Sequence, residues 1–119
     1  MASPLVPEAP AHPPSSVVIV LTTLPADADA AAFARTLVEE RLAACVSVGA
    51  EAQSVYRWKG SVEQDRERQI VVKTVREMVA PLKTRMATLH PYEVPEFLVI
   101  PADDGGDAYL EWVRQSTGA

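Results

Sequence analysis

Residues 43–75 read AACVSVGAEAQSVYRWKGSVEQDRERQIVVKTV, two strand-forming arms joined at Lys59-Gly60-Ser61, which we interpret as a hairpin tip. Gly49 lies in the middle of the first arm and predicts a bulge or bend there. Arms of roughly fifteen residues extend to about 50 Å at ~3.3 Å per residue, well beyond a typical strand. Such a ribbon would expose apolar groups and unpaired edges, so we expect it to pair with neighbouring subunits in a closed symmetric ring.

A strand and then a helix are predicted before this hairpin. Residues 17–21, VVIVL, form a continuous aliphatic run that is typical of a central strand buried on both faces. Asp27 or Asp29 can cap the helix that follows. Three apolar side chains of that helix share one face: Phe33, Leu37 and Val38.

After the hairpin the pattern predicts helix, strand and helix. Pro81 suits the first turn of a helix, and one apolar stripe then contains Val79, Leu82, Met86 and Leu89. Residues 97–100, FLVI, predict the fourth strand. A last amphipathic helix directs four side chains towards the core: Tyr109, Leu110, Trp112 and Val113.

The predicted order is βαββαβ with an additional C-terminal helix. This order indicates an α+β fold, a ferredoxin-like antiparallel sheet with its helices on one face and one long hairpin. We expect residues 16–119 to form this single domain. Residues 1–15 are rich in proline and have no aromatic residue, which favours a disordered tail to which we assign no function.

Composition narrows the classes of function. The net charge of −5 opposes non-specific binding to nucleic acid and to anionic membranes, so we expect neither partner. The single cysteine, Cys45, cannot form an internal disulfide, and the sequence has no apolar run long enough to cross a bilayer. A reducing cytoplasm fits these features best. We expect Cys45 to be a buried small hydrophobe rather than a reactive thiolate, because no basic residue neighbours it in sequence.

Residues 89–96, LHPYEVPE, bring together several potential ligand-binding side chains in one short stretch of the chain. Two prolines exclude a regular helix or a central strand, so we predict a stiff loop that carries an imidazole, a phenol and two carboxylates. The alternative interpretation is a plain loop that ends a helix before a strand. If residues 90–96 are extended, His90 and Glu96 lie about 20 Å apart at ~3.3 Å per residue and Glu93 points away from His90. A metal site would then need ligands from elsewhere, such as across a subunit interface.

Three further residues on the hairpin are candidates for a binding cleft. Lys73 is a lone charge between Val71 and Val75 on one strand face, where it should be paired or directed into a cleft, with Glu93 or Glu96 as partners. Tyr56 and Trp58 share a strand face and form either a binding platform or part of a trimer core. Trp112 is interpreted as a core residue.

The chain resembles the CutA divalent-cation tolerance proteins across nearly all of residues 16–115. Five motifs in natural order carry the resemblance: LAACV at 42–46, YRWKG at 56–60, VKT at 72–74, the octet at 89–96 and YLEW at 109–112. The resemblance implies a ferredoxin-like subunit in a tight cytoplasmic homotrimer, with long hairpins that cross between subunits. It also implies a link to tolerance of copper and other divalent ions. The architecture is similar to that of PII signalling proteins, which implies small-molecule sensing as an alternative role.

The resemblance also indicates which positions of the chain correspond to metal ligands in relatives. In some bacterial relatives copper is linked to a cysteine near the end of the first strand and to a His-His pair before Pro-Tyr. The matching positions here hold Leu21, or Thr22 if the register slips, and Leu89-His90. Leucine donates no ligand, so the resemblance implies at most weak binding of Cu(II) or another divalent cation, centred on His90. No cofactor is required.

Three classes of function follow. The first is a non-catalytic trimer that binds metal ions or a small ligand in inter-subunit clefts. The cleft residues that we predict are Tyr56, Trp58, Lys73, His90, Tyr92, Glu93 and Glu96. The second is an enzyme that uses His90 and a glutamate as acid and base, which the absence of a nucleophile elbow, a phosphate loop or an HExxH motif argues against. The third is a purely structural trimeric scaffold.

Overall fold

The computed structural model describes residues 15–118, and this part of the chain contains four strands and three α-helices. In chain order they are β1 (Val17–Pro25), α1 (Ala30–Glu39), β2 (Cys45–Trp58), β3 (Ser61–Val75), α2 (Val79–Leu89), β4 (Leu98–Pro101) and α3 (Asp107–Gln115), with a short 3-10 helix (Arg76–Met78) before α2. The strands form one antiparallel sheet in the spatial order β2-β3-β1-β4. This arrangement confirms the α+β, ferredoxin-like prediction. The predicted tail lies outside the described residues except for its last position.

The long hairpin has the predicted length and turn. Its arms have 14 and 15 residues and pair from Cys45↔Lys73 to Trp58↔Ser61. Lys59 and Gly60 both have positive φ, 48° and 83°. Such a pair forms the tight two-residue connection whose twist matches that of the flanking strands.

The bulge predicted at Gly49 is present. The register of β2 against β3 shifts between Val48 and Glu51. A Cβ atom at Gly49 would lie 2.9 Å from the carbonyl oxygen of Gln69, closer than side-chain carbons approach. The close approach of the two backbones therefore requires glycine at this position.

Helices α1 and α2 cover one face of the sheet. Because strand side chains alternate, every second residue of β1 and β3 points into this core. The buried core side chains include Val18, Val20, Leu24, Phe33, Leu37, Ile70, Val72, Leu82 and Met86. Pro81 lies in the first turn of α2, as predicted, and the apolar stripe of α2 packs inward.

The structure refines several predicted details. Asp29, not Asp27, caps α1, because its carboxylate accepts a hydrogen bond from the backbone N–H of Ala32 at 3.0 Å. Val38 is exposed, so the prediction that it shares the buried face was wrong; it lies one helical step beyond the buried Leu37. Strand β1 continues to Pro25, because it pairs with β3 as far as Glu67.

The opposite face of the sheet is only partly covered. Helix α3 packs against one end of it, where Val113 is buried with Val17 and Val75. The guanidinium of Arg41 donates to the carbonyl oxygens of Gln115 and Gly118, at 2.6 Å each, and holds the end of α3 in place. The helices therefore do not all lie on one face. Tyr109 and Trp112 are exposed, so in the single chain the prediction that they are core residues was wrong.

The rest of this second face carries apolar side chains that no described element covers; we call it the open face. It comprises Ile19, Leu21, Val71, Leu98 and Ile100, which share a side through their cross-strand pairs. Leu98 is 55% exposed and Ile100 is 45% exposed. Strand β1 is central in the sheet, as predicted, but within one chain it is fully buried on one face only.

Candidate ligand cleft

A cleft of about 540 Å³ lies between the hairpin and the loop that joins α2 to β4. Its walls come from β1, both hairpin arms and the loop. The lining residues are Thr23, Ser54, Tyr56, Trp58, Glu67, Pro91, Tyr92, Glu93, Val94 and Glu96. Five of the seven predicted cleft residues are therefore together here, and Lys73 and His90 are the two that do not line the cleft.

The loop takes its shape from the end of α2. Pro91 cannot continue the helix, which ends at Leu89, and the N–H of His90 bonds to the carbonyl oxygen of Met86 at 2.8 Å. The chain then bends at residues 92–94. The expectation for an extended segment, with Glu93 on the far side, was wrong, because this bend brings Glu93 and Val94 to the same cleft as Tyr92 and Glu96.

His90 is buried, with 7% of its surface exposed, and both of its ring nitrogens are hydrogen-bonded. Its Nε2 lies 2.6 Å from the carbonyl oxygen of Thr23, which can only accept, so Nε2 carries the hydrogen. Its Nδ1 accepts from the backbone N–H of Tyr92 at 3.1 Å. No lone pair is left for a metal ion. The imidazole joins the loop to β1 in this geometry, and His90 as a metal ligand stays a prediction.

Glu67 is the buried carboxylate of the cleft, and the sequence analysis missed it. Its Oε2 accepts hydrogen bonds from the hydroxyls of Tyr92 at 2.7 Å and Thr23 at 3.3 Å. Burial, and then the hydrogen bond to Glu67, raise the pKa of Tyr92 above its usual range. Tyr92 therefore keeps its proton and acts as a donor to Glu67.

A signal for Glu67 was present in the sequence. Within the charged half of β3, acidic residues occupy alternate positions 63, 65 and 67, whereas arginines occupy 66 and 68. Because strand side chains alternate, this pattern separates the charges onto two faces. Arg66 pairs with Glu51 at 2.7 Å on one face, and Glu67 faces the cleft on the other.

The aromatic wall of the cleft comes from β2. Tyr56 and Trp58 lie two residues apart and both line the cleft, as their spacing predicted. The hydroxyl of Tyr56 donates to Asp65, and this hydrogen bond raises the pKa of Tyr56 to about 12. The ammonium of Lys59 lies 5.5 Å from the ring centroid of Trp58, within the range of a cation–π contact.

The loop contributes two further carboxylates, Glu93 and Glu96. The Oε2 atom of Glu96 is buried and has no hydrogen-bond partner among the described residues. No lysine or arginine lines the cleft within residues 15–118. The cleft therefore combines three aromatic rings with three carboxylates, and the Lys59 ammonium beside the Trp58 ring balances only part of that negative charge.

Lys73 and Cys45 lie elsewhere on the sheet. They face each other across β3 and β2 and are half-buried, and Lys73 also pairs with Ile19 of β1. Lys73 makes no ion pair within the described part of the chain, so the predicted pairing with Glu93 or Glu96 is absent there. Cys45 is less buried than predicted, because its side of the sheet is the open face.

The donor groups in the described part of a single chain do not form a metal centre. Among residues 15–118, no group of three or more His, Cys, Asp or Glu side chains is placed to hold a metal ion. Leu21 and Leu89, at the positions that the resemblance links to copper, offer no donor atom. One chain alone therefore presents no preformed metal centre in its described part.

The fold and the cleft define the class of the protein: a ferredoxin-like α+β domain with an acidic, aromatic cleft beside an uncovered apolar sheet face. The model of one family, the CutA1 divalent ion tolerance protein family, matches residues 18–116. The chain belongs to this family, as the resemblance predicted. No helix within residues 15–118 is long and apolar enough to cross a membrane.

Relatives and solved structures agree with this assignment. The divalent-cation tolerance protein CutA of Thermus thermophilus is 45% identical over 100 residues, which cover 84% of this chain and 97% of the relative. The human protein CutA is 41% identical over 104 residues, 87% of this chain but 58% of the relative. The solved Cut A1 structure from Thermus thermophilus has a TM-score of 0.82 and 44% identity, and covers 86% of this chain and 99% of that one. The CutA1 structure from Shewanella sp. SIB1 has a TM-score of 0.83 and 32% identity, and covers 91% and 100%.

Proposed function

We propose that this chain forms a cytoplasmic homotrimer that contributes to divalent-cation tolerance by binding cations or a small ligand, without catalysis, in clefts at the subunit boundaries. The acidic, aromatic cleft is the observation that carries this proposal. The family description and the names of the relatives support the link to divalent-cation tolerance. They name tolerance proteins and no enzyme.

The open face supports the assembly. A sheet face with Leu21, Val71, Leu98 and Ile100 beside one another leaves a contiguous apolar surface in water, which monomeric proteins rarely tolerate. The outer hairpin adds Val55 and Val62, both exposed. A ring of three chains would cover each copy of these surfaces in the same way.

The cleft supports cation binding of a particular kind. Its donors are carboxylate and hydroxyl oxygens, which suit hard divalent cations such as Mn²⁺ better than copper. The nitrogens of His90 are occupied and Leu21 and Leu89 donate nothing, so Cu(II) binding should be weak. A partner subunit that supplies a further ligand would complete the site.

The hydrogen bonds of both His90 ring nitrogens also argue against the enzyme alternative. Acid-base chemistry by His90 would need a free ring nitrogen that reaches substrate, and both nitrogens bond to the backbone. PII-like sensing of a small molecule is an alternative role, and it would use the same cleft. A purely structural scaffold needs the open face but not the cleft.

Native mass spectrometry of the purified protein, followed by calorimetric titration with Mn²⁺ and Cu(II), tests the proposal. We expect a trimer mass and a saturable isotherm that weakens in Glu93→Gln and Glu96→Gln. Glu39→Gln is the matched control, because Glu39 is exposed and pairs with Arg35 outside the cleft. A monomer mass contradicts the assembly. A trimer that binds neither ion and carries no copurified ligand supports the scaffold instead.

A further inference from the structure

The charge of the cleft is unbalanced. Glu67, Glu93 and Glu96 line it, and Asp65 accepts the hydrogen bond of Tyr56 beside it. Arg66 and Arg68 of the same hairpin face the other way, where they lie near Glu51, and the ammonium of Lys59 lies beside the Trp58 ring at the hairpin tip. The hydroxyls of Thr23 and Tyr92 donate hydrogen bonds to Glu67 and bring no positive charge. A bound anion would add to this repulsion, whereas a cation would relieve it.

The aromatic rings select among cations. Tyr56, Trp58 and Tyr92 line the cleft, and the faces of aromatic rings attract cations through their quadrupole. The molecule already shows this attraction, since the ammonium of Lys59 lies 5.5 Å from the centroid of the Trp58 ring. Both phenols are protonated and uncharged near neutral pH, as an unperturbed tyrosine also is, and their raised pKa values extend this state to higher pH.

Glu96 supplies an independent indication of a charged ligand. Its Oε2 is buried without a hydrogen-bond partner among the described residues. Burial of an unpaired carboxylate oxygen is costly, so such a group normally has a donor or a cation beside it. Glu96 also lines the cleft, which places this unsatisfied group in the wall of the same site.

We propose that the cleft binds an organic ammonium ion, with the cationic head between the aromatic side chains of β2 and the carboxylates of the 90–97 loop. This inference rests on the proposed function, because it assigns the ligand class of the same cleft. Three observations favour an organic cation over a bare metal ion. No three-ligand metal group exists among the described residues, aromatic faces do not coordinate hard metals, and about 540 Å³ is the size of a small-molecule pocket.

Calorimetric titration of the native protein with choline and with its neutral carbon analogue, in which carbon replaces the ammonium nitrogen, tests the charge requirement. The two probes have nearly the same shape, so their difference in affinity reports the positive charge. We expect choline to bind saturably and roughly tenfold or more tighter than the analogue. Equal affinities, or no saturable binding of choline, would overturn the inference.

Two substitutions locate the site. Trp58→Leu removes the ring and Glu96→Gln removes the charge with little change of shape, and each should weaken choline binding by roughly tenfold. Trp112→Leu is the matched control, because Trp112 is an exposed tryptophan on α3 outside the cleft. If Trp58→Leu alters the native mass, Glu96→Gln decides the question. Unchanged choline affinity in Glu96→Gln places the ligand elsewhere and overturns the proposal.

The outcomes separate this inference from the proposed function. If a trimer binds Mn²⁺ in the cleft but does not distinguish choline from its analogue, the proposed function is supported and the organic-cation inference is contradicted. If the protein is a monomer and binds choline at a site that Glu96→Gln weakens, the ligand class is supported and the proposed trimer is contradicted. Competition between Mn²⁺ and choline in one titration supports both.

Discussion

The two faces of the sheet are built from the same strands, but they differ in whether the chain itself covers their apolar side chains. On the face covered by α1 and α2, Val18, Ile70 and Val72 are buried completely within one chain. On the open face, their neighbours Ile19, Val71 and Leu98 remain partly or largely accessible. One face is therefore covered by the chain itself, whereas the other leaves an apolar surface exposed beside the acidic cleft.

The difference has a physical cause in the alternation of strand side chains. Strands β1 and β3 are apolar at nearly every position where they pair near the helices, so both of their faces need cover there. Two helices follow β1 and β3 and fill one side, but the short α3 reaches only the Val17 and Val75 end of the other. The remaining apolar surface is stabilised only if something outside the chain covers it.

The largest effect is expected for Leu98→Lys. This substitution places a charge on the open face, in its edge strand β4, and an unpaired charge in the proposed apolar interface should abolish the proposed trimer. The expected result is a monomer mass by light scattering, with far-ultraviolet circular dichroism retained because Leu98 makes no contribution to the covered core.

The matched control for this prediction is Val38→Lys. Val38 is an exposed aliphatic residue on α1, away from the open face, so its variant should keep the trimer mass. A trimer mass for Leu98→Lys would mean that the open face is not the assembly surface, and the comparison of the two faces would fail.

The next largest effect is expected on the covered face. Leu82→Ala leaves a cavity in the core between α2 and the sheet and should lower the free energy of unfolding by about 2–5 kcal/mol. Urea unfolding at one fixed protein concentration measures it. Val38→Ala should change the free energy by less than about 0.5 kcal/mol. A loss as small for Leu82→Ala would contradict the core assignment.

His90 tests whether its role is structural or metal-binding. His90→Ala removes the donor to the Thr23 carbonyl and the acceptor for the Tyr92 N–H, which should cost about 1–3 kcal/mol of unfolding free energy. Calorimetric titration with Cu(II) should give the same stoichiometry as the unchanged protein. Loss of a copper site in this variant would restore His90 as a ligand and overturn our interpretation of its ring.

The smallest effect is a pH dependence of the cleft. The hydrogen bond to Asp65 raises the pKa of Tyr56 from 10.0 to about 12 in the folded protein. Between these pH values the unfolded chain has lost the proton and the folded chain keeps it, so the stability that Tyr56 adds is complete below pH 10.0 and is lost as pH rises to about 12. Ultraviolet titration of phenolate should show a component at about 12 that is missing in Tyr56→Phe.

Tyr109→Phe serves as the control for this titration. It removes a phenol on α3, outside the cleft, and should leave the component at about 12 in place. If the component disappears in Tyr109→Phe and persists in Tyr56→Phe, the hydrogen bond to Asp65 does not control the titration.

Much of the fold was predictable from local patterns. Lys59-Gly60 and Gly49 indicated a turn and a bulge through conformational demands that few other residues meet, and both are present. The candidate site was predicted less completely. Tyr56 and Trp58 were found because their period of two is local, whereas Glu67 depends on its approach to Tyr92, 25 residues further along the chain.

The sequence by itself determined the order of the elements, the long hairpin, the alternating apolar faces and the membership of the family. These features depend on local backbone preferences and side-chain periodicity. Only the tertiary structure decided that His90 is held by Thr23 and Tyr92, that Lys73 lies apart from the cleft, and that the loop bends to bring Glu93 inward. Those outcomes depend on hydrogen bonds and packing between distant segments, whose geometry no local pattern specifies.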